Sequence, residues 1–350
     1  MSGRWSRLAL RVALVILALV APLLAPAFQT QMAVLWVMVL LSLTWDIMGG
    51  QMGYNSFGNI VYFGLGMYAT AVVERNLYFG VEEYTDVAGG AAAQLSIGQY
   101  LTGFGLGLGA AVLVCLVVAV VIGYAILGLR GHYFAICTLG LALGAGEVAN
   151  GWDYIGAGSG LVTPLLPEGL GARGIFYYYY FLILAALCFA TLRHLYAGRF
   201  GLAINAIRDD EEKAEAMGLR TTRYKTVAWS ISAVFLGLTG GAYGNLIGFI
   251  DPLDVAFSGG TLGVWMVLMA ILGGKGTLWG PVIGAFIFHI TQELFWTYLL
   301  GWQRVALGLL IILIVVFFPQ GILGWLRERW PRFFGAAPDP ANDPARGESA

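Results

Sequence analysis

The chain has 350 residues, 59% of them hydrophobic and only 11% charged, with a formal net charge of −1. A soluble domain carries about 25% charged residues, so this composition excludes one. Several apolar runs instead reach the roughly 20 residues that cross a bilayer. The sequence predicts an all-α polytopic membrane protein with about ten transmembrane or re-entrant helices. Its 50 glycines fit that class, because small residues let membrane helices approach closely. Cys115, Cys137 and Cys188 all fall inside apolar runs with no metal-ligand spacing, which reads as packed thiols. No metal and no cofactor is expected.

Arg4, Arg7 and Arg11 precede an apolar run that ends near Ala25-Pro26-Ala27. The layout resembles a signal peptide, but the run is long and further spans follow at once, so an uncleaved first helix over 8–28 is expected. A second span, 32–48, carries Asp46 and ends in the glycine-rich stretch Gly49 to Asn59. Spans at 59–76 and 104–127 follow, separated by a loop with Glu82, Glu83 and Asp86. Arg130 then precedes a span at 132–149, which holds Glu147 near its end. After a loop with Asp153 and Glu168 comes the span 176–196.

The segment 199–225 is unlike its surroundings, with dense charge of both signs. Asp209 and Glu212 have the spacing of a capping box. Gly218 stands where a helix of about two turns needs a left-handed residue at its end. Ala203, Ala206, Ile207, Ala214 and Met217 recur near helical spacing, giving short helices with one apolar face. The segment reads as a docking element, or equally as an ordinary charged loop.

Beyond it lie spans at 225–249, 262–272, 277–297 and 303–318. The span at 262–272 is too short to cross alone, so the region through 297 is expected to be a re-entrant or broken pair. The stretch Gly273 to Pro281 interrupts it much as Gly49 to Asn59 interrupts the first half. A pseudo-symmetric pair of Gly-rich broken segments is the sequence pointer to a transport site. The Lys and Arg residues at 4–11, 130, 199–225, 275 and 327–332 fall on one side of this scheme. By the positive-inside rule that side, with both termini and the charged segment, is cytoplasmic. Residues 1–334 form the transmembrane domain, and 335–350 a disordered tail rich in Pro, Ala and Asp.

Catalytic groupings are missing. Gly273-Gly-Lys-Gly-Thr277 invites comparison with a phosphate-binding loop, but Gly276 stands where Ser or Thr must follow the lysine, and position 269 is Met. Any ATPase must therefore be a separate chain. No nucleophile elbow or zinc-protease motif is present. Among ionisable residues at membrane depth, Asp46 and Glu147 admit two readings, solute contact or interhelical hydrogen bonding. For His289 and Glu293, four apart on one face, hydrogen bonding is favoured. The stretch Gly53 to Asn59 sets Tyr54, Asn55, Ser56, Asn59 and Tyr62 beside backbone freed by glycine. Such groups suit a zwitterionic or amide-bearing solute, or else mark close helix packing.

Four blocks together resemble the branched-chain amino acid permease family of ABC importers, specifically its M-type permease. They are Gly53 to Tyr68, Leu129-Arg-Gly-His-Tyr-Phe-Ala-Ile-Cys-Thr-Leu139, Gly201 to Gly218, and Gly273 to Ala285 with Phe318-Pro-Gln-Gly-Ile-Leu323. The chain departs from the family pattern at Asn59, where a histidine is usual, and at Met67. The resemblance implies a non-enzymatic subunit that carries branched-chain or hydrophobic amino acids. Its implied partners are a second homologous permease, cytoplasmic ABC ATPases and an extracytoplasmic binding protein, in a bacterial inner membrane; no nucleic acid is implied. Arg208, Asp209, Glu211, Glu212, Ala214 and Gly218 are then expected to dock the ATPase. Tyr54, Asn55, Ser56, Asn59, Tyr62 and Glu147 are expected to line the solute path. The alternatives are a permease for urea or short amides in the same family, or a self-contained channel or secondary transporter for a small neutral solute.

Overall fold

The computed structural model describes residues 16–78, 95–298, 301, 302, 305, 308, 309, 312 and 321–329. The cationic N-terminus, acidic residues 82–86, most of the span expected at 303–318 and the tail 335–350 lie outside the described residues. After a helical stretch at 16–24 come α1 (Gln29–Asp46), α2 (Asn59–Tyr78), α3 (Ile97–Ile126), α4 (Gly131–Asn150) and α5 (Arg173–Ala197). Two short helices follow, α6 (Arg199–Asp209) and α7 (Glu211–Ala216), and then α8 (Thr221–Ile247), α9 (Val264–Gly273), α10 (Gly280–Tyr298) and α11 (Gly321–Arg329). The one small sheet among the described residues pairs β1 (Leu161–Val162) antiparallel with β2 (Phe249–Ile250). Six helical runs among the described residues are long and apolar enough to cross a membrane. The chain is an all-α polytopic membrane protein.

Two expectations need correction. The segment at 262–272 is not short. Wide π-helical turns at Pro252–Ala256 and Gly259–Gly263 lead into α9, so the run Pro252–Gly273 reaches 22 residues. Loose turns of this kind do not follow the 3.6-residue pattern that marks a helix in sequence. The span predicted from 104 begins instead at Ile97, where Ser96 accepts from the Gln99 amide and the Gln99 side chain accepts in return from Ser96 N–H. That Ser-x-x-Gln capping box was legible.

The core is formed where α2, α3 and α8 meet, and glycine makes the meeting possible. A Cβ at Gly66 would lie 2.2 Å from Gly237 O, and one at Gly240 would lie 1.9 Å from Phe63 O. α2 and α8 therefore touch backbone to backbone. Cys115 of α3 seals the crossing by donating its S–H to Tyr62 O at 3.3 Å, and Ser232 of α8 bonds Thr44 O of α1 at 2.8 Å. Cys188 is buried and Cys137 half-buried, and neither they nor Cys115 form a disulfide.

Charge is divided unevenly between the two ends of the bundle, although Arg75 and Arg173 stand at the β1–β2 end, bonded to Tyr154 O and Asn245 O. Arg130, α6, α7 and Lys225 share one end with the chain breaks at 47–58 and 274–279, as their contacts show. Asp153, Asp251 and Asp254 belong to the loops at the other end, around the β1–β2 pair.

The α2–α8 crossing yields a prediction. Gly240→Ala should destabilise the protein by about 2 kcal/mol or more through overpacking, visible as a lower melting temperature in detergent. Gly105→Ala on the outer face of α3, where a Cβ meets nothing within 4 Å, should be neutral or slightly stabilising, because alanine favours a helix over glycine by roughly 0.5–1 kcal/mol.

Candidate functional site

The charged segment folds as the two helices α6 and α7 at nearly a single residue's separation. The N-cap of α7 is Asp210, not the expected Asp209. Asp210 sits in extended geometry and its side chain accepts from Lys213 N at 3.0 Å. Helix α6 absorbs Asp209, whose carboxylate pairs with Arg208 at 3.1 Å on the surface. The cap thus falls one residue later, Lys213 occupies the position that Glu212 would need, and no capping box forms. The Lys213 amide, bonded to the Asp210 carboxylate, holds it below the ordinary aspartate range.

At its other end α7 closes as the sequence predicts. Gly218 adopts φ +88°. Its N–H bonds Glu215 O at 2.9 Å and the Leu219 N–H bonds Ala214 O at 3.0 Å, the paired bonds of a Schellman motif. Ala203, Ile204, Ile207 and Ala214 turn inward and are buried. Met217, assigned to the same apolar face, points outward instead and is 85% exposed, and Leu202 is 73% exposed.

What anchors α7 is electrostatic. Lys225, in the first turns of α8, is 1% exposed. Its ammonium pairs with the Glu211 carboxylate, donates to Tyr54 Oη at 2.8 Å and Leu127 O at 2.9 Å, and lies 4.4 Å from the Tyr54 ring centroid. The Tyr54 hydroxyl donates in turn to Glu211. Burial first, and then the neighbouring Glu211 carboxylate, raise the Tyr54 pKa and keep that hydroxyl protonated. From its exposed position Arg130 reaches Glu211 at 3.7 Å, Glu212 at 3.1 Å and Glu215 at 2.9 Å. Glu211, followed by the other carboxylates, raises the Arg130 pKa further. Glu215 also accepts from Thr221 Oγ1 at 2.6 Å, the leading cause of its lowered pKa.

The two glycine-rich breaks meet beside this node. The Asp46 carboxylate accepts from Gly276 N at 2.8 Å, and Gln51 Nε2 donates to Gly276 O at 2.8 Å. A Cβ at Gly50 would lie 2.4 Å from Gly276 N, and a Cβ at Gly53 would lie 3.1 Å from Arg208 Cγ. Asp46 thus joins one break to the other, the interhelical reading of the two left open. His289 likewise bonds Gln31 O at 3.0 Å.

The six residues expected along a solute path are not brought together. Tyr54 belongs to the Glu211–Lys225 node, with its ring edge-on to Phe134 at 5.2 Å. Asn55 is exposed at the break. Ser56 is buried, its hydroxyl accepting from Gly58 N and its carbonyl from Trp45 Nε1 at 2.7 Å. Asn59 and Tyr62 share one face of α2 and are fully buried, and neither polar end of Asn59 nor the Tyr62 hydroxyl has a protein partner among the described residues. The Tyr62 ring meets Trp229 edge-on at 5.8 Å. Glu147 is exposed on α4, about 20 Å along that helix from Phe134 at its 1.5 Å rise per residue. Proximity in sequence grouped Tyr54 to Tyr62 and membrane depth added Glu147, but Tyr54 turns to the charged node, Asn59 and Tyr62 turn into the core, and the length of α4 sets Glu147 apart.

Sequence reasoning passed over two members of the node. Arg130 counted towards orientation and the Leu129–Leu139 family block, and Lys225 only as the end of the charged segment. The available signal was a single lysine set four residues inside an apolar helix, which requires a partner.

A family described as "Branched-chain amino acid transport system / permease component" matches residues 28–317. The chain is 25% identical over 360 residues to the high-affinity branched-chain amino acid transport system permease protein LivM of Escherichia coli K12, covering 93% of this chain and 77% of that protein. To LivM of Salmonella typhimurium it is 25% identical over 349 residues, covering 91% and 75%. To LivH of Escherichia coli K12 it is 32% identical over 127 residues, 36% of this chain and 40% of LivH. No solved structure matches the chain significantly. With most of its length matched, from the first membrane-crossing helix through α10, the chain belongs to the branched-chain amino acid permease family.

Proposed function

We propose that this chain is one membrane subunit of a binding-protein-dependent ABC importer for branched-chain or other hydrophobic amino acids. It would work with a second homologous permease, separate cytoplasmic ATPase subunits and an extracytoplasmic binding protein, in a bacterial inner membrane with the α6–α7 end facing the cytoplasm. The observation that carries the reading is the attachment of α6 and α7 to both glycine-rich breaks, through Tyr54, Glu211 and Lys225 and through Arg208 beside Gly53 and Gly276.

In this mechanism the exposed side chains Leu202 and Met217, flanked by Asp209, Glu212 and Lys213, seat in the ATPase. Ala214 and Gly218 shape α7 for that contact. Closure of the ATPase shifts α7, and the Glu211 carboxylate draws Tyr54 and Lys225 with it. The break after α1 moves, carrying the Asp46–Gly276 bond to the second break. Asn59 and Tyr62, whose polar atoms lack protein partners, become available to a solute when that rearrangement opens α2. Docking alone is not coupling: α7 must contact two ATPase states with different free energy.

The test is uptake of radiolabelled leucine and urea by vesicles, with and without internal ATP and the co-expressed ATPase. ATP-dependent leucine uptake is expected, lowered at least tenfold by Leu202→Glu/Met217→Glu at unchanged membrane abundance. ATP-dependent uptake of urea alone would move the substrate to the amide branch. Uptake that needs no ATPase and survives the double variant would overturn the importer and favour a self-contained carrier.

The node makes its own prediction. Lys225→Met leaves the Glu211 carboxylate, 11% exposed, with the Tyr54 hydroxyl and the more distant Arg130 in place of its ammonium partner, a loss of about 3 kcal/mol. Its melting temperature should fall, and adding Glu211→Leu should restore most of the loss without restoring uptake. Uptake regained in the double variant would show that Glu211 serves folding alone.

A further inference from the structure

A groove of about 490 Å³ runs down the outside of the bundle between α3, α5 and α8. Leu116 and Val120 form one wall and Val227, Ile231 and Val234 another, with Thr191 contributed by α5. Its polar end lies at the level of α7, where Tyr124 closes α3 and Arg223 stands in the first turn of α8. Arg223 is exposed, and so is Arg220 one turn before it. Of the other basic residues at this end, Arg130, Arg208, Lys213 and Lys225 are answered by carboxylates, whereas Arg193, Arg199 and Lys275 form no salt bridge among the described residues. Arg220 and Arg223 pair with none among the described residues.

We infer that this groove binds one anionic phospholipid, with its phosphate between Arg220 and Arg223 and an acyl chain along α3 and α8. Four observations converge on that occupant. The lining from Arg223 to Phe235 covers thirteen residues of α8, about 18 Å of helix, a little over half of a hydrocarbon core of about 30 Å. The walls are mainly apolar over that length, broken only by the hydroxyls of Thr191, Thr226 and Ser230, which suits a hydrocarbon chain rather than a polar solute. The cations are confined to the end where a headgroup would lie, and basic pockets between membrane helices recognise acidic headgroups. Tyr124, 65% exposed, stands at the same level, where amphipathic rings favour the interface. Because α8 also carries Lys225, a lipid held here would brace the helix that anchors α7.

The inference rests on these helices crossing a bilayer with α7 on the side of the anionic headgroups, and not on which solute is carried. Its readout is accordingly binding and not transport. The full chain, stripped of lipid in detergent, would be incubated with phosphatidylglycerol or phosphatidylcholine and weighed intact by native mass spectrometry. One phosphatidylglycerol per chain should be retained in preference to phosphatidylcholine. Arg223→Glu, which reverses the charge, should weaken retention roughly thirtyfold, at about 1 kcal/mol per unit charge near a charged surface. Ser230→Trp, which fills the groove without touching charge, should abolish it, and Leu143→Trp on exposed α4 should leave it unchanged. Equal retention of the two lipids, or retention that survives Ser230→Trp, would overturn the site. So would a photo-reactive residue at position 230 that captures a protein segment instead of lipid in native membranes.

Discussion

A lysine ammonium buried four residues into a membrane helix demands an anion, because an unpaired charge there costs several kcal/mol. In this chain the anion is Glu211, supplied by α7 and not by another membrane helix. That single pairing decides where the short helices sit. Tyr54 inserts between the two charges as an acceptor from the ammonium and a donor to the carboxylate, so the first chain break is held in the same cluster. Arg130 then spreads over the remaining carboxylates of α7. The apolar residues Ile204 and Ile207 complete the seat, but hydrophobic burial has no direction, and the ion pair is what fixes the register.

Much of the fold was legible in the sequence, since spanning a bilayer imposes a long apolar run for each helix and glycine marks the interruptions. The short helices were legible for the same kind of reason. Dense charge cannot enter hydrocarbon, and a glycine after two turns announces a Schellman close. What escaped was pairing across long separations. Lys225 and Tyr54 lie 171 residues apart, and Asp46 and Gly276 lie 230 apart. No local spacing encodes either meeting. The cap at Asp210 was missed by one residue because adjacent aspartates are chemically equivalent until α6 fixes where its own last turn ends. The π-helical approach to α9 was missed because its turns match neither helical nor extended periodicity.

The two broken segments also differ from each other more than their composition suggests. The break after α1 unwinds through a π-helical turn and carries an aromatic residue into the charged node. The break after α9 is a bare hairpin, where a Cβ at Gly273 would fall 1.7 Å from Gly280 O and one at Gly284 1.9 Å from Met269 O. The first break places a side chain, Tyr54, against α7, whereas in the second Thr277 folds back on Gly274 O and Gly280 N and Trp279 packs on Phe189 of α5. Asp46, bonded to the Gly276 amide, is the means by which the second follows the first.

The backbone contact of α2 with α8 carries a mechanical consequence. No side-chain layer lies between Gly66, Gly237 and Gly240, so there is nothing to repack if one helix slides, and close-packed interiors resist such shear. The pair therefore behaves as a single beam. One end bears Lys225 in the charged node. The other, about 30 Å away at the rise of an α-helix, bears Asn245 of α8 bonded to Glu74 of α2 at 2.6 Å. In the proposed importer, a push on α7 would reach the opposite surface of the molecule as a tilt of that beam, with bending at the glycine-rich joints at its foot.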